Sequence, residues 1–514
     1  MSEYPPIPKP TPEYLIAASA GLALFLMASA AIGMATRKRR ETFESFLVGH
    51  RDIGPVVTGL ALCATWMSGW ALLGLMGITY MFGWPGMWLA GVWTLVGLAP
   101  AALLTGLKMR MYSSKFGAAT VPEVVRIRFD SKLAQSMAGL IMVTLLIVYA
   151  VGQFKAGATV WYAVTGYPWE ICILLSAIVV LVYLAIGGYT GTQWALAFQG
   201  FLLALGSYAL GFVALAFIGG PAELNAKLAA QSPALTSLIN PALSKIPKAQ
   251  FAADFIGVSA TALLFFTMAI GFPHNVARFL GMRRITRREF AIMMLVITIA
   301  AACPWANLIT GLAARAYWGP TLLKIPFVKA DGAAPFMAMV AGGVPLATLY
   351  MVAVFSAALS TLAATVMIMA GNITRDLIQT YRPQTSPTTL LLLTRILIAI
   401  FVLIPLYWAL VKPPALLAYL MAGAAVGLGS IFFFVIAVSM YWKRATKWGA
   451  ISCMAYGMIM VVLGGYYVYT INQWGWGNWV WATFTGCAIL YFAVSLLTKP
   501  LPEEKLSKLF PRKA

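Results

Sequence analysis

Apolar residues fall in long, nearly unbroken runs, with short polar stretches between them. Runs of roughly 20 residues are long enough to cross a hydrocarbon core as helices. The pattern predicts about 13 such spans, so the expected fold class is an all-α polytopic membrane protein. Numbered from zero, span 0 lies near 14–35, and spans 1 to 5 lie near 54–82, 85–107, 133–164, 169–187 and 190–218. Spans 6 to 10 lie near 253–281, 289–317, 343–374, 387–410 and 414–441, and spans 11 and 12 near 448–470 and 476–497. The stretch 219–252 reads as an outer loop with short interfacial helices, and 328–345 as a re-entrant or surface segment before span 8.

Two runs are interrupted. In "ALCATWMSGWALLG" (61–74), Thr65, Ser68 and Gly69 and the bulky Trp66 and Trp70 break the middle of span 1. Span 6, five spans later, carries "FFTMAIGFPH" (265–274). No sequence identity between the halves is visible, yet interrupted helices at matching places point to an inverted-repeat transporter with its site at the midplane. Unpaired backbone in a membrane is tolerated where it lines such a cavity. The division that follows is an outer segment with helix 0 (1–53), a first five-helix repeat (54–218), the outer loop (219–252), a second repeat (253–441), and two peripheral helices with a cytoplasmic tail (442–514).

The formal charge of +21 does not indicate nucleic acid. The basic clusters "TRKRRE" (37–42), "RRITRRE" (283–289), "KRATK" (443–447) and the tail sit at alternate ends of the apolar runs. That is the positive-inside pattern. It places the N-terminus outside and the C-terminus in the cytoplasm of a bacterial-type inner (plasma) membrane. The N-terminal stretch lacks the basic n-region of a cleaved signal. The five cysteines lie in apolar runs without metal or redox spacing and read as small hydrophobes. No nucleophile–base pair supports an enzyme, and no protein partner is implied.

All 15 acidic residues fall in loops or at span ends, which disfavours a relay built on a buried carboxylate. A bound cation would then rest on neutral oxygens, and span 8, "AVFSAALSTLAATVMIMAGNITRDL" (353–377), offers them. Ala357, Ser360 and Thr361 stand at i, i+3 and i+4 on one helix face. The plainer alternative is that these hydroxyls bond carbonyls of their own helix. Lys155 sits inside span 3 with no acidic residue evident as partner. It snorkels, loses its proton, or meets an anion such as a solute carboxylate. Depth and helix breaks nominate Trp66, Ser68, Trp70, Gln153, Lys155, Thr267 and Met268 as solute-site residues.

Five segments in order resemble the sodium:solute symporter family, over nearly the whole chain. "FESFLVGHRDIGPVVTGLALCATWMSGWALLG" resembles its opening segment, "GGYTGTQWALAFQG" (187–200) its span 5 entry, and "GFPHNVARF" (271–279) its "PHxxxRF" signature. The span 8 stretch and "MYWKRATKWGAISCM" (440–454) are similar to its sodium-binding helix and its span 10–11 junction. The resemblance implies a five-plus-five inverted repeat and one sodium ion between spans 1 and 8. Carried over by position, its ligands are the carbonyls of Ala64, Met67 and Ala357 and the hydroxyls of Ser360 and Thr361. Where the proline branch has an aspartate in span 1, this chain has Trp66. Where members with a second sodium have an aspartate and hydroxyls, it has Leu196, Ala363 and Ala364. The expected function is therefore symport of a small, anionic organic solute such as a monocarboxylate with one sodium ion, by alternating access. The alternatives are a proton-coupled carboxylate or amino-acid transporter using Lys155, and a solute-binding membrane sensor that does not transport.

Overall fold

A computed structural model describes residues 4–36, 42–89, 94–186, 189–411 and 417–510. The basic run at 37–41 and the glycine pair at 187–188 lie outside the described residues. The described residues form helices joined by short turns, with one isolated bridge between Ile53 and Met282. Among the described residues, nine helices are long and apolar enough to cross a bilayer, and two bent pairs bring the number to 11, against the 13 expected. The difference lies in spans 2 and 4. Span 2 is helical over 94–116 but carries Lys108, Arg110 and Lys115 in its last turns. Span 4 is the apolar helix Trp169–Ile186, of which the stretch Trp169–Leu181 enters this count as a shorter apolar helix.

The bent pairs are spans 1 and 6. Span 1 consists of Pro55–Trp66 and Trp70–Phe82, set at 60°. Span 6 consists of Phe255–Gly271 and Pro273–Gly281, set at 47°. Proline explains the second bend, because Pro273 has no N–H and begins a new helix. The first has no proline. There, Met67 leaves the helical region (φ −82°, ψ 86°), and the chain re-enters a helix through a π-turn at Trp70–Gly74. The start of span 1 is tied to the end of span 6. Ile53 N–H donates to Gly281 O (3.3 Å), and Arg283 N–H donates to Ile53 O (3.0 Å).

Around the two bends pack span 3 (Lys132–Thr165), span 5 (Tyr189–Ile218), span 8 (Ala333–Gly371, continuing to Gln379) and span 10 (Leu417–Met440). Spans 3 and 8 are buried along most of their length. Small residues allow this closeness. A Cβ on Gly271 would stand 2.1 Å from Leu428 O, so span 10 lies directly on the end of the first half of span 6.

The stretch 328–345 is not a surface segment. Val328, Ala330, Asp331 and the run Ala333–Met339 are buried, and the helix continues into span 8 through a kink at Gly343, whose φ of +59° suits a residue without a Cβ. Two tryptophans at the start of span 12, a place that suits an interfacial belt, are also interior. Trp476 and Trp479 are buried, with Trp479 Nε1 donating to Met460 O (2.8 Å) across the glycines of span 11 (Lys447–Tyr466).

Candidate functional site: the break in span 1

The break in span 1 leaves backbone groups without helical partners, and side chains from spans 3, 7 and 8, with Ser68 of span 1 itself, take them up. On the span 8 side, Ser360 Oγ donates to Ala64 O (2.7 Å) and to Ala357 O (3.0 Å). Thr361 Oγ1 donates to Thr65 O (3.4 Å). All five residues are fully buried. Thus four of the five expected sodium ligands, Ala64, Ala357, Ser360 and Thr361, converge, together with the Thr65 carbonyl, which sequence reasoning passed over. Met67 ends the first half-helix, its N–H donating to Cys63 O (2.8 Å), and its own carbonyl is not drawn into this cluster by any hydrogen bond. The oxygen set is neutral and buried, which is chemistry that suits a hard monovalent cation. The hydroxyls need only rotate to turn lone pairs toward it.

Beyond the break, Asn307 Nδ2 donates to Ala71 O (2.9 Å), and the Tyr350 hydroxyl donates to Leu72 O. The π-turn frees these carbonyls, and spans 7 and 8 occupy them. From span 3, Gln153 Oε1 accepts from Gly69 N–H (3.1 Å), and the Tyr149 hydroxyl donates to Ser68 Oγ (3.0 Å), which itself accepts from Trp70 N–H (3.2 Å). Tyr149 and Gln153 are one turn apart, so one face of span 3 holds the break open. Gly69 fits because span 3 is so near: a Cβ there would lie 2.4 Å from Ala156 Cβ. We predict that Gly69→Ala lowers thermal stability by about 1–3 kcal/mol through overpacking and impairs uptake. Unchanged melting and uptake would show that the break is looser than it looks.

An aromatic cluster lies beside the break. Trp66 meets Phe265 and Phe272 (ring centroids 6.3 Å for each), and Trp70 stacks on Phe265 at 5.8 Å. Tyr149 meets Phe272 at 5.2 Å. Trp70 Nε1 is buried without a hydrogen-bond partner among the described residues. Trp66, Ser68, Trp70 and Gln153 therefore come together as expected. Thr267 turns to Gly429 of span 10, its hydroxyl donating to Leu263 O (2.8 Å) of its own helix, and the Met268 backbone lies against the same glycine. Phe265, Phe272 and Tyr149 join the cluster.

Lys155 departs most from expectation. Its Nζ lies 2.6 Å from Asp331 Oδ2, with both side chains only 1% exposed. The lysine is paired by the protein itself. Asp331, Asp376 and Glu123 do lie in a turn or at helix ends, as the sequence indicates, but all three are buried. Asp331 sits in the turn Lys329–Gly332 before span 8, against Gly77 of span 1.

Residues 46–457 match the sodium:solute symporter family, which is most of the chain. The chain belongs to that family. As a member it is a secondary active, sodium-coupled symporter of a small organic solute and not an enzyme. Among its relatives, the high-affinity proline transporter PutP of Bacillus subtilis (strain 168) is 25% identical over 483 residues, covering 91% of this chain and 93% of that protein. The osmoregulated proline transporter OpuE of the same organism is 26% identical over 458 residues (86% of this chain, 87% of that protein). A sodium/proline symporter of Staphylococcus aureus is 23% identical over 469 residues (86% and 84%). A Na+-coupled sialic acid symporter, solved in a substrate-bound outward-open state, shares the fold with a TM-score of 0.72 at 17% identity, covering 94% of this symporter and 98% of that chain.

Proposed function

We propose that this symporter carries a small zwitterionic amino acid with an apolar side chain, together with one sodium ion held at the junction of spans 1 and 8. The observation that carries the reading is that Lys155 is already paired with the buried Asp331, while the break itself is lined by an aromatic cluster. A free lysine would call for an anionic solute such as a monocarboxylate. A lysine already neutralised at 2.6 Å removes that demand. What remains at the break is apolar ring surface from Trp66, Trp70, Phe265 and Phe272 and a single unspent donor, Trp70 Nε1. Such a lining suits a compact apolar body with one carboxylate. The proline transporters among the relatives point the same way.

Sodium at Ala64, Ala357, Ser360 and Thr361 would join the two halves of the core by drawing span 8 onto the break, favouring the arrangement in which the solute site is complete. Coupling then arises from the difference in sodium affinity between open and joined states. The solute's own groups would compete for the N–H groups of Gly69 and Trp70 that Gln153 and Ser68 now hold.

The solute class is tested by competition. In proteoliposomes with an inward sodium gradient, unlabelled proline and similar apolar amino acids should inhibit uptake of labelled proline, while acetate, lactate and pyruvate should not. Each cycle should carry one positive charge inward, because the zwitterion is neutral. Uptake of monocarboxylates without net current would return the solute assignment to an anion.

A further inference from the structure

Away from the sodium and solute sites, the end of span 8 carries a buried carboxylate. Asp376 lies in the π-turn Asn372–Gln379 and is fully buried. Its Oδ1 accepts two hydrogen bonds, from Thr120 Oγ1 (2.7 Å) and from Gln135 Nε2 (2.7 Å) on span 3. Among the described residues its Oδ2 has no partner, and neither has Oε1 of the same Gln135. Both unpartnered atoms are acceptors. They belong to two groups that already share one hydrogen bond.

The charged and titratable neighbours do not settle the pair. Glu123, on the short helix Val121–Phe129, is itself an acid, and it takes Arg375 Nε (2.8 Å) and Ala119 N–H (2.8 Å). Arg375 directs Nη1 to Gln379 Oε1 (2.8 Å). The Tyr381 hydroxyl meets Ser136 Oγ at 3.4 Å, and Ser136 in turn donates to the Asp376 backbone carbonyl (3.3 Å). From span 9 (Pro387–Val411), the buried Thr394 is neutral and bonds Thr374 (3.0 Å). A cavity of about 30 Å³, lined by Thr120, Ala119, Asn372 and Arg278, adjoins the cluster and has room for water.

A buried acceptor without a donor costs about 1–3 kcal/mol, and a buried carboxylate anion without its own cation commonly takes up a proton instead. One proton provides what both oxygens lack. A carboxylic acid and a primary amide pair reciprocally: the amide N–H donates to one acid oxygen, and the acid O–H donates to the amide oxygen. We propose that Asp376 holds a proton on Oδ2 and shares it with Gln135 Oε1, making the joint between spans 3 and 8 a proton-binding site distinct from the sodium site. The proton is exchanged with water through the adjoining cavity. Its loss leaves a carboxylate facing an amide oxygen, which repels span 8 from span 3. Proton occupancy therefore sets how firmly this end of the core is closed. The proposal does not rest on the solute assignment.

Infrared difference spectroscopy of the reconstituted protein tests it directly. In sodium-free buffer, the wild type should show the carbonyl stretch of a protonated carboxylic acid, shifting on exchange into D2O and moving again in Gln135→Met, which removes the partner amide. The band should be missing in Asp376→Asn. Because asparagine can form the same reciprocal pair, D376N should still transport with sodium and lose the pH dependence that depends on Asp376. Wild-type uptake should fall with rising pH by up to about tenfold per unit, the limit for one proton. A wild-type spectrum without the acid band overturns the proposal even if neither variant folds. So does a band that sodium abolishes, which would make Asp376 a cation ligand, and so does a D376N variant that keeps the wild-type pH profile.

Discussion

Replacing Ser360 and Thr361 together with alanine abolishes sodium-stimulated uptake in a protein that still folds. Ser360 Oγ is 2.7 Å from Ala64 O and Thr361 Oγ1 is 3.4 Å from Thr65 O, so both hydroxyls stand at the carbonyls that the break exposes. Interactions with a charged group contribute about 1.5–3 kcal/mol each, so losing two weakens sodium binding by about a hundredfold or more. The alanines also leave Ala64 O and Thr65 O without these donors, which lowers stability by a few kcal/mol at most. The check is uptake against sodium concentration alongside thermal unfolding in detergent. A parallel loss of uptake at every sodium concentration, with no change in half-saturation, would point to a folding defect instead. Thr361→Ser keeps a hydroxyl and should keep coupling.

Breaking the Lys155–Asp331 pair from one side has the second large effect. Lys155→Met leaves a buried carboxylate, and Asp331→Asn leaves a buried ammonium. Removing one partner of such a pair typically costs about 3–5 kcal/mol. That is a large share of the stability of an ordinary domain. Each single variant should express poorly and melt early. The double variant removes both charges and should recover most of the stability, giving a coupling energy in a double-mutant cycle. It should also retain sodium-dependent uptake, since Asp331 and not the solute neutralises Lys155. A double variant that is stable but no longer binds solute would instead make Lys155 a solute ligand.

The meeting of the span 1 break with the span 8 hydroxyls, where we propose the ion is held, was legible in the sequence because its parts are local. The break in span 1 is written in Ser68 and Gly69, and the hydroxyls of span 8 sit at helical spacing. What joins distant segments was not legible. Asp331 is 176 residues from Lys155 and sits in a Gly- and Ala-rich stretch that reads as surface, although it is packed against Gly77. Phe265, Phe272 and Tyr149 were missed for a different reason. In helices that are apolar all round, periodicity marks no inner face, so the aromatic residues that meet Trp66 and Trp70 look like any others. Tyr149 did leave a trace, since it precedes Gln153 by one turn. Trp476 and Trp479 look interfacial by position, and only the glycines of span 11 opposite them show that they have somewhere to pack. The buried Asp376 sits at a span end as expected, yet the burial there comes from Thr120 and Gln135, which lie more than 200 residues earlier in the chain.

The most direct measurement is uptake of labelled proline into proteoliposomes under an inward sodium gradient, set against an inward proton gradient with sodium absent. Accumulation that requires sodium, and that is lost in the Ser360→Ala, Thr361→Ala double variant, is the expected result. Accumulation driven by protons alone, or sodium-driven uptake that survives the double variant, would contradict a sodium ion held between spans 1 and 8.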